Sequence, residues 1–115
     1  MKREREFAGI AYESSYNRIY IMGGKKVYKS LDTCEYYDIN KDKWTSFAQL
    51  NEKKQMVSAS IINDRFIYLF GGSLGRKQLD TIEQYDIKDR QTWIILPCKL
   101  QFGLKLLNLV TISPT

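Results

Sequence analysis

The chain has 115 residues, the length of one ordinary domain, and its 43% hydrophobic and 27% charged residues are typical of a globular protein rather than a disordered one. Eighteen Lys and Arg residues against thirteen Asp and Glu residues give a formal net charge of +5, which favours acidic partners in general. The absence of histidine excludes His-based triads, His zinc sites and most general acid–base schemes at neutral pH.

Two cysteines, Cys34 and Cys98, are too few for a structural zinc site or a disulfide framework. Cys34 is predicted to be a small buried strand residue. The longest uninterrupted apolar runs, such as 66–70, contain five residues, so no membrane-spanning segment is predicted. The sequence shows no targeting signal, and we therefore expect a cytoplasmic location with both thiols free.

Short runs of β-branched and aromatic residues, separated by clusters of Gly, Asn, Asp and Lys, predict β-strands along the chain. The predicted strands lie near 7–13, 18–23, 32–39, 43–48, 56–62, 65–70, 80–87 and 92–96. They form two groups of four, and the overall pattern indicates an all-β protein.

Turn residues separate the strands within each group. The Asn63-Asp64 pair is a tight hairpin signal between the first two strands of the second group, and Asn17 has the same role in the first. The segments 40–43 and 88–91 are predicted to turn the third strand into the fourth.

The two groups of strands are copies of each other. The segment 19–24 matches 67–72, and from position 19 to 39 twelve of twenty-one positions are identical to those 48 later. One residue is then inserted, so that Trp44 corresponds to Trp93 at an offset of 49. Insertions between matched blocks usually map to loops, so both copies are expected to have the same fold.

The repeat defines the organisation of the chain. We assign the first repeat to 6–50 and the second to 51–100, and 101–115 could begin a third. A ninth strand is predicted from Phe102 to about Ile112, and it looks like the first strand of that third unit.

A strand that ends in Gly-Gly, a Tyr-Asp pair some thirteen residues later and a Trp six or seven residues further on together resemble the Kelch motif. The motif positions are Gly23, Gly24, Tyr37, Asp38 and Trp44 in the first repeat, and Gly71, Gly72, Tyr85, Asp86 and Trp93 in the second. The resemblance implies that each repeat is a four-stranded antiparallel blade, and that two blades plus the start of a third make an incomplete β-propeller. The Pro-Arg that often opens a Kelch unit is missing; residues 52–55 stand there in the second repeat, and Arg5 is the nearest counterpart in the first.

Physical reasons give these ten residues structural roles. Paired glycines at a strand end allow positive φ and close approach of a neighbouring backbone. Tyr and Trp supply large apolar surfaces that suit packing between stacked sheets. The Asp that follows the Tyr can accept hydrogen bonds from amides of the next turn. We therefore expect them to hold the blades together rather than to bind a ligand.

Catalytic chemistry finds little support in the sequence. Some propellers that resemble this family are copper oxidases or sugar-processing enzymes, but copper sites of that kind need imidazole ligands. The segment 89–93 is similar to the Asp box of sialidase-like propellers but lacks its Gly and is one residue short. The Gly-rich segment 71–75 does not open a helix, so it is not a phosphate-binding loop. We expect no enzyme activity, no catalytic residue, no cofactor, no metal and no small-molecule substrate.

Nucleic-acid binding is also disfavoured. The net charge is positive and fifteen aromatic residues could stack on bases. However, most of the aromatics occupy strand positions fixed by the repeat, and acids are mixed among the basic residues.

Three connecting segments are the part of the sequence that indicates what kind of partner the protein could bind. In a blade, the links after the second and fourth strands emerge on one face, and here those links are 25–30, 51–55 and 73–78. The candidate partner-binding residues in them are Lys25, Lys26, Lys29, Lys53, Lys54, Arg76 and Lys77, against one acid, Glu52. In proteins that this chain resembles, that face binds peptides, and the charge favours a protein or acidic-peptide partner. The alternative is that solvated Lys residues only keep a β protein soluble and protect its edges.

The function that this pattern predicts is a Kelch-repeat protein–protein interaction module, either complete or a fragment of a larger propeller. The alternative is a purely structural or incomplete gene product with no independent binding activity. Two blades can bury one shared interface and leave two faces exposed, so self-association or missing blades are expected.

Overall fold

The computed structural model describes residues 4–89 and 91–99, and every regular element in these ranges is a β-strand. The strands are β1 (Gly9–Glu13), β2 (Arg18–Met22), β3 (Lys25–Lys26), β4 (Lys29–Ser30), β5 (Cys34–Asp38), β6 (Lys43–Phe47), β7 (Ser58–Ile62), β8 (Phe66–Phe70), β9 (Ser73–Leu74), β10 (Lys77–Gln78), β11 (Ile82–Asp86) and β12 (Ile94–Ile95).

Two four-stranded antiparallel sheets dominate the fold. Blade 1 has the order β1-β2-β5-β6, and blade 2 has the equivalent order β7-β8-β11-β12. The predicted fold class of two Kelch-type blades is confirmed. Within the described ranges the sheets do not close into a ring, as expected for an incomplete propeller. The predicted ninth strand and third repeat lie outside the described residues.

The first strand of each blade begins two residues later than predicted. Phe7 and Met56 have φ values of 58° and 56°, and a left-handed residue interrupts an extended run. The strands therefore begin at Gly9 and Ser58.

The predicted hairpin turns are present. Asn63 and Asp64 both have positive φ, 55° and 51°, and Arg65 N donates to Ile62 O at 3.0 Å, as in a type I′ turn. Asn17 also has positive φ, 58°, between β1 and β2. Asn and Asp accept this conformation more readily than other non-glycine residues, which is why they signal the turns in the sequence.

Two short hairpins were not predicted. The segments 25–30 and 73–78, interpreted as loops, pair as β3-β4 and β9-β10. Each has a two-residue turn whose first residue has positive φ, Val27 at 60° and Gly75 at 62°, and this is the pattern of a type II′ turn.

The main core lies between the blades. Cross-strand register places one set of side chains from each blade on the shared face: Ala11, Tyr20, Met22 and Cys34 from blade 1, and Ile67, Leu69, Tyr85 and Trp93 from blade 2. Trp93 Nε1 also donates to Ala48 O of blade 1 at 3.0 Å. A Cβ on Gly9 would lie 2.8 Å from Val57 Cγ2, so the first strands of the two blades approach as closely as a glycine permits.

Candidate protein-interaction surface

The linker between the blades is hydrogen-bonded to the residues on either side of the β3-β4 hairpin and to the first strand of the β9-β10 hairpin. On one side Gly24 N donates to Lys54 O at 2.8 Å, and Lys54 N donates to Leu31 O at 3.0 Å. On the other side Gln55 and Ser73 exchange backbone hydrogen bonds of 2.9 and 2.8 Å. Residues 25–30, 51–55 and 73–78 therefore form one continuous surface, which we call the loop face.

Glycines make this close packing of backbones possible. Gly24 has φ 95°, and a Cβ there would lie 2.7 Å from Glu6 O. Gly72 occupies the same place in blade 2, and its Cβ would lie 2.5 Å from Val57 Cγ1. An L side chain at either position would both strain the backbone and displace a neighbour.

Most of the candidate cations point to solvent. The exposed ones are Lys26, Lys29, Lys53, Arg76 and Lys77. Lys25 is half-buried, and its ammonium lies 5.3 Å from the centre of the Phe7 ring. Glu52, the acid among these segments, accepts a hydrogen bond from Thr81 Oγ1 and lies 3.4 Å from Lys54 Nζ.

Lys54 must be removed from the candidate set. Its side chain is fully buried, and its Nζ lies 2.7 Å from Oε2 of Glu83, which is also fully buried. The ammonium balances the charge of a carboxylate inside the protein and is not available to a partner. The corrected loop face has six candidate cations instead of seven: Lys25, Lys26, Lys29, Lys53, Arg76 and Lys77.

The pairing of Lys54 with Glu83 has a counterpart in blade 1. Arg5 Nη1 donates to Gly23 O and Thr33 O at 3.0 and 2.8 Å, and Arg5 Nη2 lies 3.8 Å from Glu35 Oε2. Glu35 and Glu83 occupy equivalent strand positions. Lys54 is therefore the residue of 52–55 that corresponds to Arg5, and each blade opens with a buried cation that pairs with its own glutamate.

Sequence reasoning missed the apolar part of the loop face. Tyr28, at the tip of the β3-β4 hairpin, is 95% exposed, and Val27 and Leu74 are exposed beside the cations. Tyr is enriched at protein interfaces because it supplies a large rigid surface with one polar atom. The available signal was the absence of a repeat partner, since Arg76 stands where Tyr28 would recur.

The ten motif residues lie inside the blades or at the glycine turns. Asp38 Oδ1 accepts a hydrogen bond from Lys41 N at 3.0 Å, and Asp86 Oδ1 accepts one from Lys88 N at 3.0 Å. The Arg65 guanidinium, 2.9 Å from Asp86, holds the pKa of that carboxyl below its ordinary value. The other two glycines of the motif, Gly23 and Gly71, have φ values of 64° and 63°.

The motif aromatics form one pair in each blade. Tyr37 and Trp44 have ring centroids 5.0 Å apart, and Tyr85 and Trp93 have theirs 5.2 Å apart. The second pair is buried between the blades, whereas the first lies on the opposite, uncovered face of blade 1. Both pairs pack on their own sheet, and neither belongs to the loop face.

Reactive groups are sparse in the described part of the chain. Residues 4–89 and 91–99 contain no group of three or more His, Cys, Asp or Glu residues that could hold a metal ion. Cys34 and Cys98 are both free, and burial raises the pKa of the Cys34 thiol well above its ordinary value. No helix able to cross a membrane occurs among the residues described.

The fold and the motif together define a repeat protein built from propeller-type blades. The chain matches the Kelch motif over residues 7–51 and 58–99, and it belongs to the Kelch-repeat family. Comparison with curated proteins gives no match. Kelch repeats generally mediate protein–protein interactions, and this general role therefore applies to the two blades.

Proposed function

We propose that this protein is an interaction module whose loop face binds a partner protein through an acidic segment that also carries apolar side chains. The observation that supports this proposal is that the linker is hydrogen-bonded beside both hairpins. As a result, five exposed cations and the exposed ring of Tyr28 lie on a single face. Described acids exposed near this face, such as Glu6, are fewer than the cations.

The two kinds of side chain have separate roles in this proposal. Tyr28 and Leu74 supply apolar contact area, which contributes affinity when it is removed from water. Lys26, Lys29 and Arg76 attract acidic groups over a distance and select against basic segments. Because exposed charges are screened within about 8–10 Å at physiological ionic strength, the electrostatic part of binding weakens as salt rises.

The proposed binding can be tested with a fluorescent acidic peptide that contains leucine, titrated by anisotropy at low and high salt. The double variant Lys26→Glu/Arg76→Glu should weaken binding about tenfold or more at low salt. The matched control is Lys41→Glu/Lys88→Glu, which changes net charge by the same amount at turns on the opposite edge of the blades. The control should bind nearly as well as the wild type.

Substitution of Tyr28 distinguishes binding at a defined site from general electrostatic attraction of the peptide. Tyr28→Ala leaves the net charge unchanged and should weaken the same peptide several-fold while stability stays constant, because the ring is almost fully exposed. Equal binding by the wild type, the loop-face reversal and the control reversal contradicts the proposal. If the folded wild type binds no acidic peptide at all, the alternative of a purely structural product is favoured.

We further assign this module no catalytic activity and place it in the cytoplasm. The free thiols of Cys34 and Cys98 suit a reducing compartment.

A further inference from the structure

Blade 1 has an apolar face that no other described residue covers. This blade-1 outer face lies opposite the core and comprises Ile10, Tyr12, Ile19, Ile21, Tyr37 and Trp44, with Ile39 at its end. Ile10, Tyr12 and Ile39 are exposed, and the other members are half-buried.

Four of these residues have identical counterparts that are buried in blade 2. Ile39 is 40% exposed, whereas Ile87, its identical counterpart, is 2% exposed. Trp44 is half-buried, but Trp93 is only 3% exposed and donates its indole N–H to Ala48 O. Since the residue types are identical, the difference arises from the cover, which is blade 1 in one case and solvent in the other.

Blade 2 has the complementary surface. Its blade-2 outer face comprises Phe66, Tyr68, Phe70, Ile94 and Leu96. Ile94 is exposed and Phe70 is buried, whereas the other three are half-buried. Tyr68, Phe70 and Leu96 correspond to Tyr20, Met22 and Phe47, the blade-1 side chains that pack on blade 2. The two outer faces therefore carry residues equivalent to the two sides of the contact between blades 1 and 2.

Within the described ranges, a buried carboxylate on the blade-1 outer face, that of Glu35, has an ion-pair partner in Arg5 for one oxygen only. Glu35 is 2% exposed, and its Oε1 has no hydrogen-bond donor among the described residues. A cavity of about 180 Å³ lies beside it. At the equivalent place in blade 2, Asn51 from the preceding linker donates both its backbone and its side-chain N–H to Glu83 Oε1 at 2.9 and 3.0 Å.

We propose that copies of this chain associate head to tail, with the blade-1 outer face of one copy on the blade-2 outer face of the next. Such a contact is heterologous, because each copy uses two different surfaces, and it repeats until a ring closes. It continues the stacking already present between blades 1 and 2.

The intermolecular contact differs from the internal one in a way that limits its strength. Ser58 stands in place of Gly9, and Gln84 stands in place of Tyr36, so the blade-2 outer face is more polar and its first strand is bulkier. One difference has the opposite effect on polarity: Ile94 stands in place of Thr45 and adds apolar surface to the blade-2 outer face. The contact should therefore form reversibly and dissociate on dilution.

The experiment uses the whole chain and two substitutions at exposed positions, Ile39→Lys and Ile94→Lys. Each places a lysine on one outer face, where it is solvated in the free chain but buried without a partner in the complex. Each should weaken association by about 100-fold or more, and light scattering coupled to size exclusion should give 13.5 kDa for either variant alone. Leu74→Lys, an exposed apolar residue on the loop face, is the control and should associate as the wild type does.

Mixing the two variants tests the direction of the contact. Each retains the face that the other has lost, so the mixture should form a complex of twice the 13.5 kDa of one chain. A face-to-face dimer would instead be abolished by one substitution and unaffected by the other, and this result would overturn the proposal. A wild type that is monomeric and unfolds cooperatively would also overturn the proposal, and this is the result expected if the outer faces bind blades of a different protein. Association that neither substitution changes would overturn it as well. The peptide titration uses different residues, so failure of one proposal is distinguishable from failure of the other.

Discussion

Two adjacent lysines differ completely in burial and in charge pairing. Lys53 is exposed on the loop face, whereas Lys54 is fully buried with its ammonium 2.7 Å from the buried Glu83 carboxylate. Glu83 also accepts two hydrogen bonds from Asn51, so the carboxylate is well satisfied only while all its partners are present. Removal of one member of such a pair leaves an uncompensated charge in the interior, which costs more than the pair contributes.

Replacement of Lys54 should therefore destabilise the protein far more than replacement of Lys53. Lys54→Met is expected to lower the free energy of unfolding by about 3–5 kcal/mol, and Lys53→Met should change it by less than about 0.5 kcal/mol. Urea denaturation of the two variants measures the difference. Addition of Glu83→Gln to Lys54→Met should recover part of the loss, because it removes the unpaired charge. Similar losses in both single variants would show that the buried pair is unimportant.

The sequence could not distinguish these two lysines by residue type. The repeat aligns with an offset of 48 over most of its length, which would match Arg5 with Lys53, but the structure matches Arg5 with Lys54 through the shared glutamate position. The one-residue difference lies in the first hairpin of each blade, whose loop is 14–17 between β1 and β2 but 63–65 between β7 and β8. Loop lengths are free to vary between repeats. The motif glycines were easier to predict, because positive φ and close backbone packing leave few other residue types that fit.

At the scale of elements, one of the two short hairpins, β3-β4, contains a strained residue, Val27. Val27 and Gly75 both occupy the first turn position of a two-residue hairpin with φ near 60°. Glycine suits a type II′ turn there, whereas a β-branched side chain is strongly disfavoured at positive φ. Val27 is also exposed, so its side chain gains little from packing in return.

Val27→Gly should therefore stabilise the protein by about 1 kcal/mol, in spite of the added entropy of the unfolded chain. The reciprocal change, Gly75→Val, should destabilise it by a similar amount or more, although no neighbour lies within 4 Å of a Cβ at that position. Guanidinium denaturation of both variants provides the test. A loss of stability in Val27→Gly would contradict the assignment of strain to this turn.

The long strands were predictable and the short ones were not, for one physical reason. Five-residue strands such as β2 and β8 show the alternation and β-branched content that burial on a sheet requires. Two-residue strands such as β3 and β9 are too short to show a period. Backbone hydrogen bonds hold them in place, from Glu6 in the case of β3 and from Gln55 of the linker in the case of β9. The exposed ring of Tyr28 depends on that hairpin, which is why the apolar part of the loop face was not predicted.

At the scale of the whole molecule, a two-blade stack makes equivalent residues unequal. Trp44 and Trp93 occupy the same place in the motif, and each packs against the tyrosine of its own blade. Among the described residues, a neighbouring blade covers only Trp93 of the two, through contacts that involve Phe47 and the carbonyl of Ala48. The energetic contribution of a motif residue therefore depends on whether the next blade is present.

Alanine substitutions should reveal this asymmetry in dilute solution. Trp93→Ala should lower the free energy of unfolding by about 3–5 kcal/mol, because it leaves a cavity in the main core, whereas Trp44→Ala should cost only about 1–2 kcal/mol from its half-buried site. If copies stack head to tail, the loss in Trp44→Ala should grow as protein concentration rises, since the wild type then gains stability from association and the variant does not. Denaturation curves over a range of concentrations measure both effects. Equal losses in dilute solution would mean that the two faces of the stack are covered alike.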